Sequence, residues 1–305
     1  MSLNFSFLPA MKFSFAIFPS LLPLLASFTA LAGDPTASTV LTSTDTRYGP
    51  FDLLDRRTDY GQDVFPEPFL VDDSDLETDE FRLDWLYTGA SSQHTDLFTG
   101  EIEHGIGPVT FELEVPVERD AEGGKIVSGF DNINPGVRAP LYEYVSPDGF
   151  INTTFGAGLE VGIPTNSQLS RNTELVPKLF NDLALGEHFT LQSIFGYSML
   201  YGPGSDGGLD TFEYGFVFGY TIPRTELPIP DVQQLVPVFE VQGYKELNNG
   251  NASYNELLGN AAVRFNLTPI GSIDPRLGIG FVFPMDNAAR QQLHWGVYTS
   301  LVFEY

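Results

Sequence analysis

The chain has no cysteine, so neither disulfides nor thiolate metal ligands hold it together. It is also poor in positive charge. Lys and Arg number 15 against 40 Asp and Glu, a formal net charge of −25. That balance excludes a nucleic-acid partner, whose binding is led by cationic contacts to phosphate. Beyond residue 32 no apolar run approaches the length that a membrane helix requires. There is no G-x-S-x-G nucleophile elbow, no H-E-x-x-H pair and no EF-hand loop. His94, His104, His188 and His294 are scattered without ligand spacing, so neither a metal nor another cofactor is expected.

What is present begins with an export signal. Lys12 gives a short positive start, Phe13 to Leu31 is almost wholly apolar, and Ala30-Leu31-Ala32 forms a small-residue cleavage site. Residues 1–32 therefore read as a signal peptide, with Met11 as an alternative start. Residues 33–80 form an acidic arm with 13 acidic residues and three arginines (Arg47, Arg56, Arg57). Its opening is polar and flexible, but Tyr48 to Tyr60 and Val64 to Val71 carry too many aromatic and aliphatic residues for a disordered tail. An ordered segment is expected there, plugging or abutting whatever follows. The run Asp72 to Glu80 lacks the sixth-position glycine of a calcium loop and reads as a solvated acidic linker.

From Phe81 onward one pattern repeats. Apolar and polar residues alternate with period two, as in strands that face different media on their two sides. Val109 to Glu118 is the cleanest case: Val109, Phe111, Leu113, Val115 and Val117 oppose Glu112, Glu114 and Glu118. Twelve such segments can be drawn: 81–87, 97–106, 109–118, 132–141, 151–163, 175–185, 189–201, 212–222, 236–244, 255–267, 273–283 and 291–305. Most reach the roughly nine to eleven residues of a membrane strand, against about five or six for an ordinary globular one. Longer polar links (119–131, 164–174, 202–210, 246–253, 284–290) follow odd-numbered segments and shorter ones follow even-numbered segments. The link 221–234 is a long exception. The fold class predicted is all-β: a transmembrane antiparallel up-and-down β-barrel of about 12 strands over residues 81–305.

One face of these strands supplies candidate lumen residues: Arg82, Asp84, Glu101, Glu103, Glu112, Glu114, Arg138, Glu160, Lys178, Glu213, Glu240, Glu256, Arg264, Arg276, His294 and Glu304. Cross-strand ion pairs bracing a narrow lumen fit this mixture better than a catalytic dyad. Interior glycines such as Gly156/Gly158, Gly215/Gly219 and Gly278/Gly280 read as relief of crowding. The other face carries candidate membrane-interface aromatics at Trp85, Tyr87, Tyr197, Tyr201, Tyr220, Trp295 and Phe303. No catalytic residue is assigned. His294 and Ser300 share a face but stand about 20 Å apart along an ideal strand.

The run Phe98 to Val117, with its Gly-Ile-Gly-Pro link into Glu-Leu-Glu-Val-Pro, resembles an outer-membrane β-barrel family named for the meta-pathway of phenol degradation. Gly129 to Arg138 is similar to that family's next strand, although its usual G-x-G-D is replaced by Gly129-Phe-Asp131. The resemblance implies an outer-membrane barrel passing small, often hydrophobic or aromatic compounds. It brings no catalytic residues with it.

The expected function is a channel for passive passage of small solutes, with cations or neutral molecules favoured by the acidic lumen. The rival readings are a structural or surface-binding barrel and a barrel lipid hydrolase. The expected location is the outer membrane after signal cleavage, with outer-membrane lipid, the barrel-assembly machinery and a small solute as partners. Tyr305 would serve as the assembly signal, on a closing strand that pairs with both the first segment and 273–283.

Overall fold

The computed structural model describes residues 66–74, 79–106, 109–165, 167–202, 210–247 and 255–305. The expected signal segment, the arm up to residue 65 and residues 75–78 lie outside them.

The chain from residue 79 forms a closed antiparallel barrel. Its elements in order are β1 (Asp79–Gly89), β2 (Gln93–Ile106), β3 (Val109–Glu122), β4 (Lys125–Phe130), β5 (Asn134–Val145), β6 (Ile151–Gly162), β7 (Thr173–Leu185) and β8 (Phe189–Tyr201). They continue as β9 (Thr211–Tyr220), β10 (Ile222–Pro223), β11 (Val232–Glu246), β12 (Asn255–Leu267), β13 (Asp274–Pro284), the helical turn α1 (Ala289–Gln292) and β14 (Trp295–Glu304). Twelve of the strands make the wall, and β4 and β10 extend it at its ends. β14 pairs with β13 from Asp274↔Glu304 to Val282↔Gly296, and with β1 from Glu80↔Glu304 to Gly89↔Trp295. β9 and β11 are joined from Val238↔Gly219 to Glu246↔Thr211. No wall strand is left without a neighbour on either side, which is the requirement for backbone in lipid.

Alternation decides what each side meets. On β1, Glu80, Arg82 and Asp84 are buried inside while Phe81 and Leu83 are exposed outside. Phe98, Ile102, Phe111, Phe155, Leu179, Phe239 and Phe281 are likewise exposed apolar side chains on the outer surface. In water such a surface would be an aggregation hazard; in hydrocarbon it is the favourable side.

Several boundaries differ from those read in the sequence. The link 119–131 is not a free loop. β3 runs on to Glu122, turns at Gly123 and Gly124 (φ 56° and 82°) and returns as β4, paired from Glu122↔Lys125 to Val117↔Phe130. Two successive left-handed glycines make the tight hairpin that right-twisted strands favour. The final strand begins at Trp295, not Gln291. Asp286 caps the turn at Ala289 through a 2.8 Å hydrogen bond, and Leu293, which alternation over 291–305 places on the outer face with Trp295, is buried in the apolar cluster. The long link 221–234 is partly a strand too, with β10 paired to Leu235 and Gln234.

Candidate functional site

The lumen is occupied by the chain itself. Residues Pro66 to Ser74 lie inside the barrel, and all of them except Leu70 and Asp72 are buried. Glycines of the wall make room for them. A Cβ at Gly278 would collide with the ring of Phe69, one at Gly215 with Val71, and one at Gly219 with Pro66. Relief of crowding is thus directed at this segment rather than at neighbouring wall residues alone. Phe69 and Val71 complete an apolar cluster with Phe180, Ile194, Val217, Val236, Val238, Leu258, Val282 and Tyr298.

Polar groups of the segment are matched as closely. Glu240 accepts the backbone N–H of Phe69 at 2.6 Å and of Leu70 at 2.9 Å, and also the amide of Asn260 at 2.7 Å. Arg82 donates to the carbonyl of Pro68 at 2.5 Å, and Arg264 to the carbonyls of Glu67 and Pro68 at 2.8 and 3.3 Å. Arg276 pairs with the Glu67 carboxylate at 2.6 Å. Lys178 holds both Asp72 and Glu160, Arg138 lies 3.7 Å from Asp73, and the Ser74 hydroxyl donates to Asp182 at 2.7 Å. Asp72 and Asp73 are therefore not part of a solvated linker; buried cations of the wall bind them.

The remaining lumen candidates fall into local groups. Glu101, Glu103 and Glu112 bring carboxylate oxygens within 4.8 Å of one another. Arg138 bonds to Glu103 and, at 2.9 Å, to Glu112, so a guanidinium is paired with two of the three. Arg82 is anchored to Asp84 at 2.6 Å, and Asp84 accepts the Tyr298 hydroxyl at 2.8 Å. Glu304 pairs with Arg276. Glu114, Glu213 and Glu256 are half-buried on inward positions of β3, β9 and β12. His294 lies apart from all of these: it precedes β14, is exposed, and gives its backbone N–H to Gly89.

The aromatic candidates occupy the two ends of the wall. Tyr87 packs on Trp295 (5.3 Å between centroids) and Trp85 on Phe98 (6.1 Å) near the β1–β2 turn. Tyr197 and Tyr201 lie toward the same end of β8, where Tyr197 donates to Asp210 at 2.8 Å. At the other end Phe303 stacks on Phe81 (6.5 Å) and Tyr220 on His188 (5.3 Å).

What the sequence did not show is the pairing of Glu67, Phe69 and Asp73 with strands more than sixty residues away. The signals available were a Pro-Glu-Pro-Phe-Leu-Val run in an acidic arm and the inward glycines of the barrel.

No family model matches the sequence, and no curated protein does. Among solved structures the chain is similar to an outer membrane channel from Pseudomonas putida F1, with 12% identity and a TM-score of 0.50 over 76% of this chain and 98% of that one. It is also similar to the NanC porin, with 9% identity and a TM-score of 0.45 over 74% of this chain and 98% of that one. At such identities the likeness is one of fold.

Proposed function

We propose that the chain is a channel of a Gram-negative-type outer membrane that passes small solutes passively, and that residues 66–74 hold it shut at rest. The observation that supports this reading is how the lumen is filled. A barrel built only for structure would fill its interior from its own wall. Here the wall places glycine at positions 215 and 278, where Val71 and Phe69 of a separate stretch of chain come nearest, and at 219, where Pro66 shares the space with Thr190 of the wall. A segment held by hydrogen bonds and ion pairs, and joined to the wall covalently only through β1, can leave without dismantling the sheet.

The apolar lining around Phe69, Val282 and Tyr298 suits solutes with an aromatic or hydrophobic part. The resemblance of Phe98 to Val117 to the family named for phenol degradation supports the same solute class, and the Pseudomonas putida relative is described as a channel. In this reading residues 1–32 direct export, the assembly machinery inserts the barrel, and Trp85, Tyr87, Tyr197, Tyr201, Tyr220, Trp295 and Phe303 sit at the two lipid–water boundaries.

Planar bilayer recording tests the proposal. Deleting residues 66–74 is expected to convert rare, brief openings into steady conductance. Silence of both proteins, with heat-modifiability showing folded barrels, would sink it.

A further inference from the structure

Inward carboxylates outnumber inward cations along this lumen, yet the surroundings of Glu67 to Phe69 are built the other way. Three buried arginines, Arg82, Arg264 and Arg276, converge on Glu67, Pro68 and Phe69. Two of them have carboxylate partners on the wall, Arg82 with Asp84 and Arg276 with Glu304. Arg264 differs. It is 0% exposed, and its hydrogen bonds go to neutral acceptors: the Ser300 hydroxyl at 3.4 Å and the carbonyls of Glu67 and Pro68. Its Nε has no hydrogen-bond partner among the described residues. Its guanidinium carbon also lies 4.5 Å from the centre of the Phe69 ring. Among the described residues no carboxylate is in direct ion-pair contact with this buried guanidinium, whose planar fork matches one.

The ring site is equally defined. Phe69 rests over Gly278, takes the Arg264 cation on its face and meets Tyr298 edge-on at 5.7 Å between centroids. Next to it, Glu67 places its carboxylate on Arg276 at 2.6 Å. The segment therefore presents one carboxylate and one aromatic ring to one arginine pair and one slot.

We propose that Arg264, Arg276, Tyr298 and Gly278 form a binding site for a small aromatic monocarboxylate, which Glu67 and Phe69 occupy when the channel is shut. The ligand's carboxylate replaces that of Glu67 on Arg276 and gives Arg264 a direct charged acceptor, while its ring takes the Phe69 slot. Binding and closure then exclude each other, so the solute itself displaces the segment. This inference rests on the channel reading above and reverses the selectivity that the acid-rich composition implies: at this arginine site anions are preferred.

Calorimetric titration of the purified full-length protein with sodium phenylacetate tests the site, with benzylamine as the cationic counterpart. Phe69→Ala empties the ring slot and leaves the arginines in place. It is expected to bind phenylacetate at least about tenfold more tightly than the wild type. Adding Arg264→Met to it should weaken binding about tenfold or more, since hydrogen bonds to charged groups are the strong ones. Arg264→Lys keeps the charge, guards against misfolding and should lose less. Benzylamine should not bind. The site is overturned if Phe69→Ala binds no better than wild type, if Arg264→Met changes nothing, or if benzylamine binds equally well. Bilayer conductance of Phe69→Ala separates the two readings: steady conductance without phenylacetate binding overturns only the site, and saturable binding without conductance overturns only the channel.

Discussion

Glu240 on β11 takes the amide N–H of Phe69 at 2.6 Å, across 171 residues of sequence, and the next amide, Leu70, goes to its second oxygen. One wall carboxylate thus satisfies two successive backbone donors of the segment inside the barrel. Buried backbone N–H groups need partners, and water cannot readily reach these.

Glu240→Ala should therefore loosen the segment selectively. Leaving such donors unsatisfied costs about 1–3 kcal/mol, which is about five- to 150-fold in the open-to-shut ratio. Single-channel recording would show it, and Glu240→Gln, which keeps one acceptor, should have a smaller effect. An open probability equal to wild type in Glu240→Ala would remove Glu240 from the account.

Gly278 and Phe69 should be coupled. A side chain at position 278 meets the Phe69 ring, and overpacking of this kind costs typically about 1–3 kcal/mol. Gly278→Ala alone should expose residues 66–74 to protease, and Gly278→Ala with Phe69→Ala should show less loss of stability than the two single effects summed. Strict additivity in a double-mutant cycle would contradict the contact.

Lys178 bonds a segment residue, Asp72, and a wall residue, Glu160. Lys178→Met leaves both carboxylates without their cation. Breaking a fully buried pair costs about 3–5 kcal/mol, and because Asp72 is 38% exposed the effect here should be below that range. The barrel should unfold at lower urea, with part of the loss recovered by adding Asp72→Asn. No recovery would show that Lys178 acts through Glu160 alone.

The turn between β5 and β6 carries a pH dependence of known sign. Hydrogen bonds from the Ser146 hydroxyl and the Phe150 N–H hold the Asp148 carboxyl below the usual aspartate range. A depressed folded value means that its contribution is fully present above the unfolded value of about 3.9 and is lost as pH falls through the folded one. The stability difference between wild type and Asp148→Asn should be constant near neutrality and shrink below about pH 4. A difference that grows on acidification would contradict the hydrogen-bonded turn.

How much of this was legible depends on what enforces a pattern. Where strands separate lipid from lumen, each residue must suit its side, so Phe239 and Val241 against Glu240 and Gln242 could be read directly. Over β4 and the last residues of β3 polar and charged side chains occupy both faces and alternation lapses, so this stretch looked like a polar loop. Leu293 escaped because α1 shifts its phase before β14 begins. The lumen face was readable as a face, but not its pairings. Nothing local in Arg264 or Arg276 points to Glu67, which lies about 200 residues earlier in the chain. The inward glycines carried that information, in the form of space left for a side chain from elsewhere.

The central claim is that residues 66–74 close the lumen and can leave it, and a reversible crosslink tests it most directly. The chain has no cysteine, and Val71 faces Gly215 in contact. Val71→Cys with Gly215→Cys, introduced into Glu240→Ala, can therefore be joined by one disulfide. In planar bilayers the oxidised protein should be silent and should begin to conduct when reductant is added. Conductance that is the same before and after reduction would contradict the account.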